Sequence, residues 1–453
     1  MERNVQDILQ QLRQLLASGD RQGFLSLLSQ VHPADLAEVL EHMEPAEQGI
    51  VFGLLDRERA AMVLEELDSE TVARLLRAAG RERAAKILDQ IAVDELVDLL
   101  LEISPQDARE FLSVLEEEDR EDIRDLLTYP EDSAGGLMTT DYVAVHEDLT
   151  AEEAIGVLRQ IAPDAETAYY VYVVDTRGKL TGVLSLRELI IAPPDVRVKD
   201  IMRTNVIAVG VFEDQEEVAR LVARYDLVAI PVVDQDGILR GIVTADDIMD
   251  VIEEEATEDI YRMAGAGAEK EERELASSPW HKARRRLPWL IFLLFGNMLS
   301  ANVIQGFTRT IEAVVALAYF IPVLMDMGGN VGTQSFAVVV RGLATGELDP
   351  RYLFRTVLRE AGVGVLVGGI CGTLVGLVGL LWQGDPMLGL VVGVAMALTL
   401  FTATLWGTLV PLALERLGLD SALGAGPFIT TVVDITGLLI YFTLATYLMG
   451  LVT

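Results

Sequence analysis

The chain contains one cysteine, Cys371, and four histidines in 453 residues. A lone thiol excludes a disulfide framework and any cysteine-based metal centre, and it fits a reducing cytosol. Bases are also scarce: 36 Lys and Arg stand against 70 Asp and Glu, a formal net charge of −34. Such a surface repels nucleic acid and attracts cations, so a nucleic-acid partner is excluded and metal ions or basic proteins are favoured. No Walker-type phosphate loop or nucleophile constellation is present, which argues against an enzyme and against ATP hydrolysis as a power source. The opening residues Met1-Glu2-Arg3-Asn4-Val5 lack the basic-then-apolar order of a signal peptide, so membrane insertion is expected from internal segments.

The acid excess is confined to one half. After residue 280 nine acids face ten bases, leaving 61 acids and 26 bases before it, a net of −35. That is more charge than solubility requires. The later half carries five apolar runs, about 287–305, 313–340, 361–382, 387–413 and 427–451, each long enough to cross roughly 30 Å of hydrocarbon as a helix. Lys282, Arg284, Arg285 and Arg286 precede the first run. Arg341, Arg351, Arg355 and Arg359 lie around the second-to-third connection, and Arg416 marks the fourth-to-fifth. This alternation places the N-terminus in the cytosol and, after five spans, the C-terminus outside.

Two duplications organise the acidic half. Ala37-Glu38-Val39-Leu40, Ala61-Met62-Val63-Leu64 and Ala85-Lys86-Ile87-Leu88 recur every 24 residues with apolar positions on one helical face, predicting short helices stacked into a superhelix over 1–130. Further on, Met138-Thr139-Thr140-Asp141-Tyr142-Val143-Ala144-Val145 returns as Met202-Arg203-Thr204-Asn205-Val206-Ile207-Ala208-Val209. Each copy is followed by a helix, a strand (Tyr170–Asp175; Ile230–Asp234), a glycine turn (Gly178; Gly237), another strand and a helix. The two copies, 131–200 and 201–254, resemble tandem cystathionine-β-synthase (CBS) domains. An acidic connecting helix and linker, 246–280, leads to the membrane part, 281–453. The expected fold is thus multidomain: an all-α superhelix, α/β tandem CBS domains, a long connecting helix and a five-helix α transmembrane domain.

Three groups of polar residues stand out. Asp434 is the one ionisable residue deep in the last span, where a carboxylate costs several kcal/mol unless it meets water, a cation or a partner. Hydrogen bonding to Thr430 or Thr431 is the structural alternative. In span two, Gly328-Gly329-Asn330-Val331-Gly332 predicts an interrupted helix with carbonyls freed toward a cavity, and Asn330 and Gln334 lie one turn apart. Pore lining and interhelical hydrogen bonding are equally good accounts of that pair, and the role of nearby Asp326 is open. Acids one turn apart or in adjacent steps form the third group: Asp94 with Asp98, Asp246 and Asp247 with Asp250, Glu254 with Glu258, and Glu255 with Asp259. Like charges at this spacing repel unless solvated or bridged by a cation.

The order of parts resembles the MgtE family of magnesium channels and transporters. Ser133-Ala134-Gly135-Gly136-Leu137-Met138, Ala256-Thr257-Glu258-Asp259-Ile260, Gly328-Gly329-Asn330-Val331-Gly332-Thr333-Gln334-Ser335 and Asp434-Ile435-Thr436-Gly437-Leu438 carry the likeness. The resemblance implies a homodimer in the inner or plasma membrane that takes up Mg2+. Asp434 would face its twin at the ion-selecting site, with Asn330 and Gln334 lining the pore. It also implies regulatory Mg2+ bridging Asp94 and Asp98 to Asp247, further ions near Glu216, Asp226 and Asp250, and one between Glu255, Glu258, Asp259 and Asp420, so that high cytosolic Mg2+ shuts the pore. Paired carboxylates suit magnesium, which keeps most of its waters. CBS pairs often bind adenine nucleotides; Thr244 with Asp247 could hold a ribose and Tyr170 with Arg187 a base. Glu188 and Leu227 replace the Asp and the aromatic of ATP-binding members, so nucleotide binding stays open. The competing readings are a carrier of Co2+, Ni2+ or Mn2+, and a CBS-based membrane signalling or scaffold protein.

Overall fold

A computed structural model describes residues 2–115, 117–161, 165, 167, 169–264, 279–345, 347–348, 353–420 and 425–450. The linker 265–278 and the loop base Arg351 lie outside them. The chain divides into two compact units, Met1–Ile252 and Glu253–Thr453.

The first unit begins with ten helices: α1 Glu2–Ser18, α2 Arg21–Leu28, α3 Pro33–Glu41, α4 Pro45–Leu54, α5 Arg57–Leu64, α6 Ser69–Ala79, α7 Arg81–Leu88, α8 Val93–Glu102, α9 Pro105–Leu112 and α10 Glu117–Leu126. From α3 on, the helix starts fall into two series, each with a 24-residue period, so the repeat is a helix pair and extends one copy beyond the three legible motifs. Helices of two or three turns are unstable alone and must stack. Val39, Val63 and Ile87, one period apart, are fully buried. Their starts are set locally: Asp56, Asp68 and Ser104 accept from the backbone N–H of Arg59, Thr71 and Asp107, while Pro33, Pro45 and Pro105 occupy first-turn positions. One inter-repeat contact is also periodic. The Arg59 guanidinium donates to the Val31 carbonyl, and Arg83, 24 residues on, donates to Leu55 O at 2.7 Å and Phe52 O at 3.0 Å.

The two CBS copies are three-stranded sheets of identical topology. In β1 Ala144–His146, β2 Tyr170–Val174 and β3 Leu180–Ser185, β1 runs parallel to β2 and β2 antiparallel to β3; β4 Val209–Gly210, β5 Ala229–Val233 and β6 Leu239–Thr244 repeat this. The copies exchange backbone bonds. Thr139 of the first pairs both ways with Ile242 of the second, and Arg203 of the second pairs both ways with Val183 of the first. Gly182 and Gly241 are the residues that let these segments cross, because a side chain there would strike Met202 and Met138 respectively. Gly178 and Gly237 adopt φ of +78° and +80° at the matching turns, a conformation that favours glycine. A continuous apolar core joins the superhelix to the second copy, running from Val5 through Leu96 to Val218, Ile230, Ile248 and Val251. Helix α11 Ala134–Leu137 precedes the first strand, α12 Ala151–Ile161, α13 Leu186–Ile191, α14 Val198–Ile201 and α15 Gln215–Tyr225 connect the strands, and α16, Ala245–Ala264, leaves the last one.

The second unit contains five helices long and apolar enough to cross a membrane: Lys282–Gly306, Val315–Ala344 (which opens on a 3-10 turn, Val315–Phe320), Phe354–Gln383, Pro386–Arg416 and Gly426–Leu448. They are called spans one to five below. Spans three and four pack backbone to backbone: Gly368, Gly372 and Gly376 abut Ala397, Gly393 and Gly389. Span two departs from expectation. Its α-helix, Ile321–Ala344, runs unbroken through Gly328–Gly332, and the irregularity lies earlier, at Val314 (φ −138°, ψ 83°) and the 3-10 turn. The glycines serve close approach instead, with Gly328 and Gly332 packed on Val433 and Gly329 on Thr430 of span five. Unpaired carbonyls in hydrocarbon would cost more than the weak helix propensity of glycine. At the 3-10 turn, the Tyr441 hydroxyl donates to Leu317 O at 2.9 Å.

Candidate ion pathway and acidic sensor sites

In the first unit, α8 and the start of α16 bring acids together. Asp94 is buried in the first turn of α8, while Glu95 and Asp98 face outward. Glu95 retains solvent on one side, yet desolvation of its carboxyl, followed by the charges of Asp98, Glu65, Asp247 and Asp250, pushes it up to about 8. Burial also raises Asp247, with Asp246 and Asp250 adding, against two hydrogen bonds from Thr244: the backbone N–H at 3.2 Å and the hydroxyl at 2.5 Å. Glu65 is raised by burial and by Glu66. Like charges on three separate elements are thus held where they repel. Asp94, Asp98, Asp247 and Asp250 fall in or beside this cluster; Glu65 and Glu95 were missed, although Glu95 adjoins one predicted ligand and lies three residues before another.

Glu216 and Asp226 do not converge. They sit at opposite ends of the helix Gln215–Tyr225, about 15 Å apart along its axis. Both are exposed, and Asp226 terminates the helix in the left-handed conformation, φ +51°.

In the second unit the later part of α16 meets the loop before span five. Arg262 makes ion pairs with both Glu258 and Asp420. Burial raises Glu258, Arg262 opposes the rise, and Glu255, Asp420 and Asp259 add to it. Asp259 is pushed up to about 6 by burial, then by Asp420 and Glu255. The four predicted acids are therefore gathered, with a guanidinium among them that sequence reasoning did not include. Among the described residues no group of three or more His, Cys, Asp or Glu side chains forms a ready-made metal cage. Carboxylate oxygens in loose groups nonetheless fit a hard, hydrated ion such as Mg2+, which takes one or two carboxylates and keeps its waters.

In the membrane unit, Asp326, Asn330 and Gln334 recur every four residues along one exposed face of span two, and Asn330 Nδ2 donates to Asp326 Oδ2 at 3.3 Å. The opposite face, including Leu324, Val331, Phe336 and Val340, is buried. Asp434 is half-buried on span five. Thr430 and Thr431 both donate to the carbonyl of Pro427, so their hydroxyls are committed to their own helix.

At the proposed nucleotide residues, Tyr170 is half-buried beside the core shared by both sheets and Arg187 is exposed. Asp247 caps α16 through Thr244. Glu188 repeats that arrangement in the first copy: its carboxylate accepts from Ser185 N and Oγ, both at 2.8 Å, and from Arg203 at 2.7 Å. These bonds hold Glu188 down to about 2.

An acidic unit with paired CBS folds, continuous in sequence with five apolar helices that bear a polar face and a half-buried carboxylate, defines a membrane cation-transport protein. Comparison with known proteins sharpens this. The profile of the MgtE divalent cation transporters matches residues 321–444, that of the MgtE intracellular N domain matches 31–132, and the CBS profile matches 134–195 and 198–254. The magnesium transporter MgtE of Thermus thermophilus is 43% identical over 442 residues, covering 97% of this chain and 98% of the relative. That of Bacillus subtilis is 43% identical over 335 residues, 74% of each chain. The chain belongs to the MgtE family. Its soluble part is also similar to the cytosolic domain of the Mg2+ channel MgtE crystallised with ATP (43% identity, TM-score 0.52, covering 54% of this chain and 99% of that one). The crystallised soluble part of a magnesium transporter is similar too (34% identity, TM-score 0.52, 56% and 99%).

Proposed function

We propose that this protein is a homodimeric Mg2+ channel of the cell membrane, with its N-terminus cytosolic and its C-terminus outside, closed by cytosolic Mg2+. The observation that carries the reading is the gathering of carboxylates from separate elements into mutually repelling groups at both ends of α16. Such groups relax only by separating or by gaining positive charge. A bound divalent ion supplies two positive charges at each group. The acids Asp94, Asp98, Asp247 and Asp250 then hold the superhelix on the CBS pair, and Glu255, Glu258, Asp259 and Asp420 hold the connecting helix on the loop that enters span five. Binding that requires the gathered state shifts the population toward it. Individually weak sites act together because their ligands sit on mobile parts.

The polar face of span two points away from the chain's own core, and in a membrane such a face requires water or a second subunit. A pore on the axis of two subunits, lined by Asn330 and Gln334 and carrying one Asp434 from each, meets that requirement. The paired carboxylates would hold the ion with its waters. Glu216 and Asp226, apart within one chain, would have to take ligands from elsewhere. Thr244 donates to Asp247 through its backbone N–H and its hydroxyl, and ATP binding by this CBS pair is a further reading that the relative crystallised with ATP supports. Single-channel recording tests the reading: unitary Mg2+ currents that vanish in Asp434→Asn are expected, and transport without unitary currents would reassign the protein as a carrier.

A further inference from the structure

The joint between the connecting helix and span five already contains a cation. Arg262 pairs with Glu258, one turn behind it on α16, and with Asp420, across the gap in the loop that leads into span five. The three side chains keep only a quarter to a third of their surface on solvent. A second contact marks the same place: a side chain at Gly426, the second residue of span five's helix, would come within 2.6 Å of the Met263 carbonyl. The end of α16 therefore touches the helix that carries Asp434 immediately beside the ion pair. Glu255 and Asp259 lie close enough to act electrostatically on this pair.

We propose that Arg262 is a built-in competitor for divalent cations at this joint, setting the ion concentration at which the joint takes up Mg2+. The inference rests on the reading above, that these acids bind the ion. Its physical basis is occupancy. A guanidinium is always charged, and its tether presents it to Glu258 and Asp420 at high effective concentration. An incoming ion must displace it before gaining those two oxygens. The side chain that yields is long and can swing toward solvent, so the exchange needs no backbone rearrangement. With Arg262 neutralised, Glu258 and Asp420 lose its positive charge and attract a divalent ion more strongly.

The test is Mn2+ binding to the full-length protein in lipid nanodiscs, followed by the electron paramagnetic resonance of free Mn2+, for wild type, R262Q, R262K, D420N and the double variant R262Q/D420N. We expect R262Q to tighten the affected site about five-fold, R262K to behave as wild type, and the gain to vanish when Asp420 is also replaced. If D420N weakens binding but R262Q binds no tighter than wild type, Arg262 is a structural clamp and the proposal is overturned while the functional reading stands. If D420N leaves Mn2+ binding unchanged, the joint takes no divalent ion, and both the proposal and that part of the functional reading fall. Thermal unfolding of each variant identifies any that do not fold, and R262A, which also removes the charge, replaces R262Q if that variant is among them, with the same outcomes expected.

Discussion

Neutralising Glu95 should shift the acidic first unit toward its gathered arrangement without any metal. Its carboxyl is raised from 4.5 to about 8 by its surroundings. At about 1.4 kcal/mol per tenfold change in proton affinity, desolvation and repulsion together are bounded at roughly 5 kcal/mol. Glu95 is exposed, so solvent screening brings the figure to about 1–2 kcal/mol. The sign follows from linkage. Between pH 4.5 and about 8 the gathered state holds a proton at Glu95 that the separated state has lost, so raising the pH through this window weakens the gathering. In chelator, the ratio of gathered to separated molecules should rise about 5- to 30-fold across the whole window from pH 8.5 down to about 4.5. Glu95→Gln should be mostly gathered throughout. Spin labels at the exposed positions Glu70 and Asp236, in a C371A background, report the distance by pulsed electron resonance. A distribution independent of pH, or one that broadens on acidification, would refute the reasoning, as would a Glu95→Gln variant that separates like wild type.

Other consequences follow from packing. Gly372→Leu should disrupt the hairpin of spans three and four, because even a Cβ would come 2.5 Å from Gly393 O; a loss of about 3 kcal/mol or more should appear as a lower melting temperature in detergent. Arg83→Ala should cost about 2–3 kcal/mol by removing charge-assisted bonds to two carbonyls, measured by thermal unfolding, whereas Lys86→Ala, which loses only an exposed helix pair, should cost well under 1 kcal/mol. Tyr441→Phe should leave Leu317 O without its hydroxyl donor and lower stability by about 1–2 kcal/mol, with no change in ion selectivity.

How far these features could be read from sequence depended on whether the signal was local. The stacked short helices of the superhelix were legible because apolar spacing recurs every 24 residues, though not that each repeat is a helix pair; the copy beginning at Pro105 was missed because Phe111 stands where the earlier units carry Val or Ile, Arg109 where they carry Ala, and Asp107 where Arg83 stands. The Met138/Gly241 and Met202/Gly182 crossings were visible as residues but not as an exchange, since sequence order does not say which copy a strand pairs with. Gly328–Gly332 misled because the same glycines serve a broken helix and a close helix contact, and only the partner span, through Val433 and Thr430, decides. Spans three and four proved longer than their apolar runs, as Arg355, Arg359 and Glu360 continue the helix past the hydrophobic stretch. Asp94, Asp98 and the acids of α16 were marked by their spacing. Glu65 meets α8 and α16 only in the fold, and of the two contacts of Arg262 only the one to Glu258 is local, while that to Asp420 comes from far along the chain.

The central claim, a Mg2+ pore closed by its own ion, is tested most directly by Mg2+ entry into liposomes containing the purified protein, with wild type and Asp434→Asn compared at low and millimolar Mg2+ on the cytosolic face. The account predicts entry by the wild type at low cytosolic Mg2+, suppression at millimolar Mg2+, and no entry through Asp434→Asn at either. Entry that survives Asp434→Asn, or that proceeds equally at both concentrations, would contradict it.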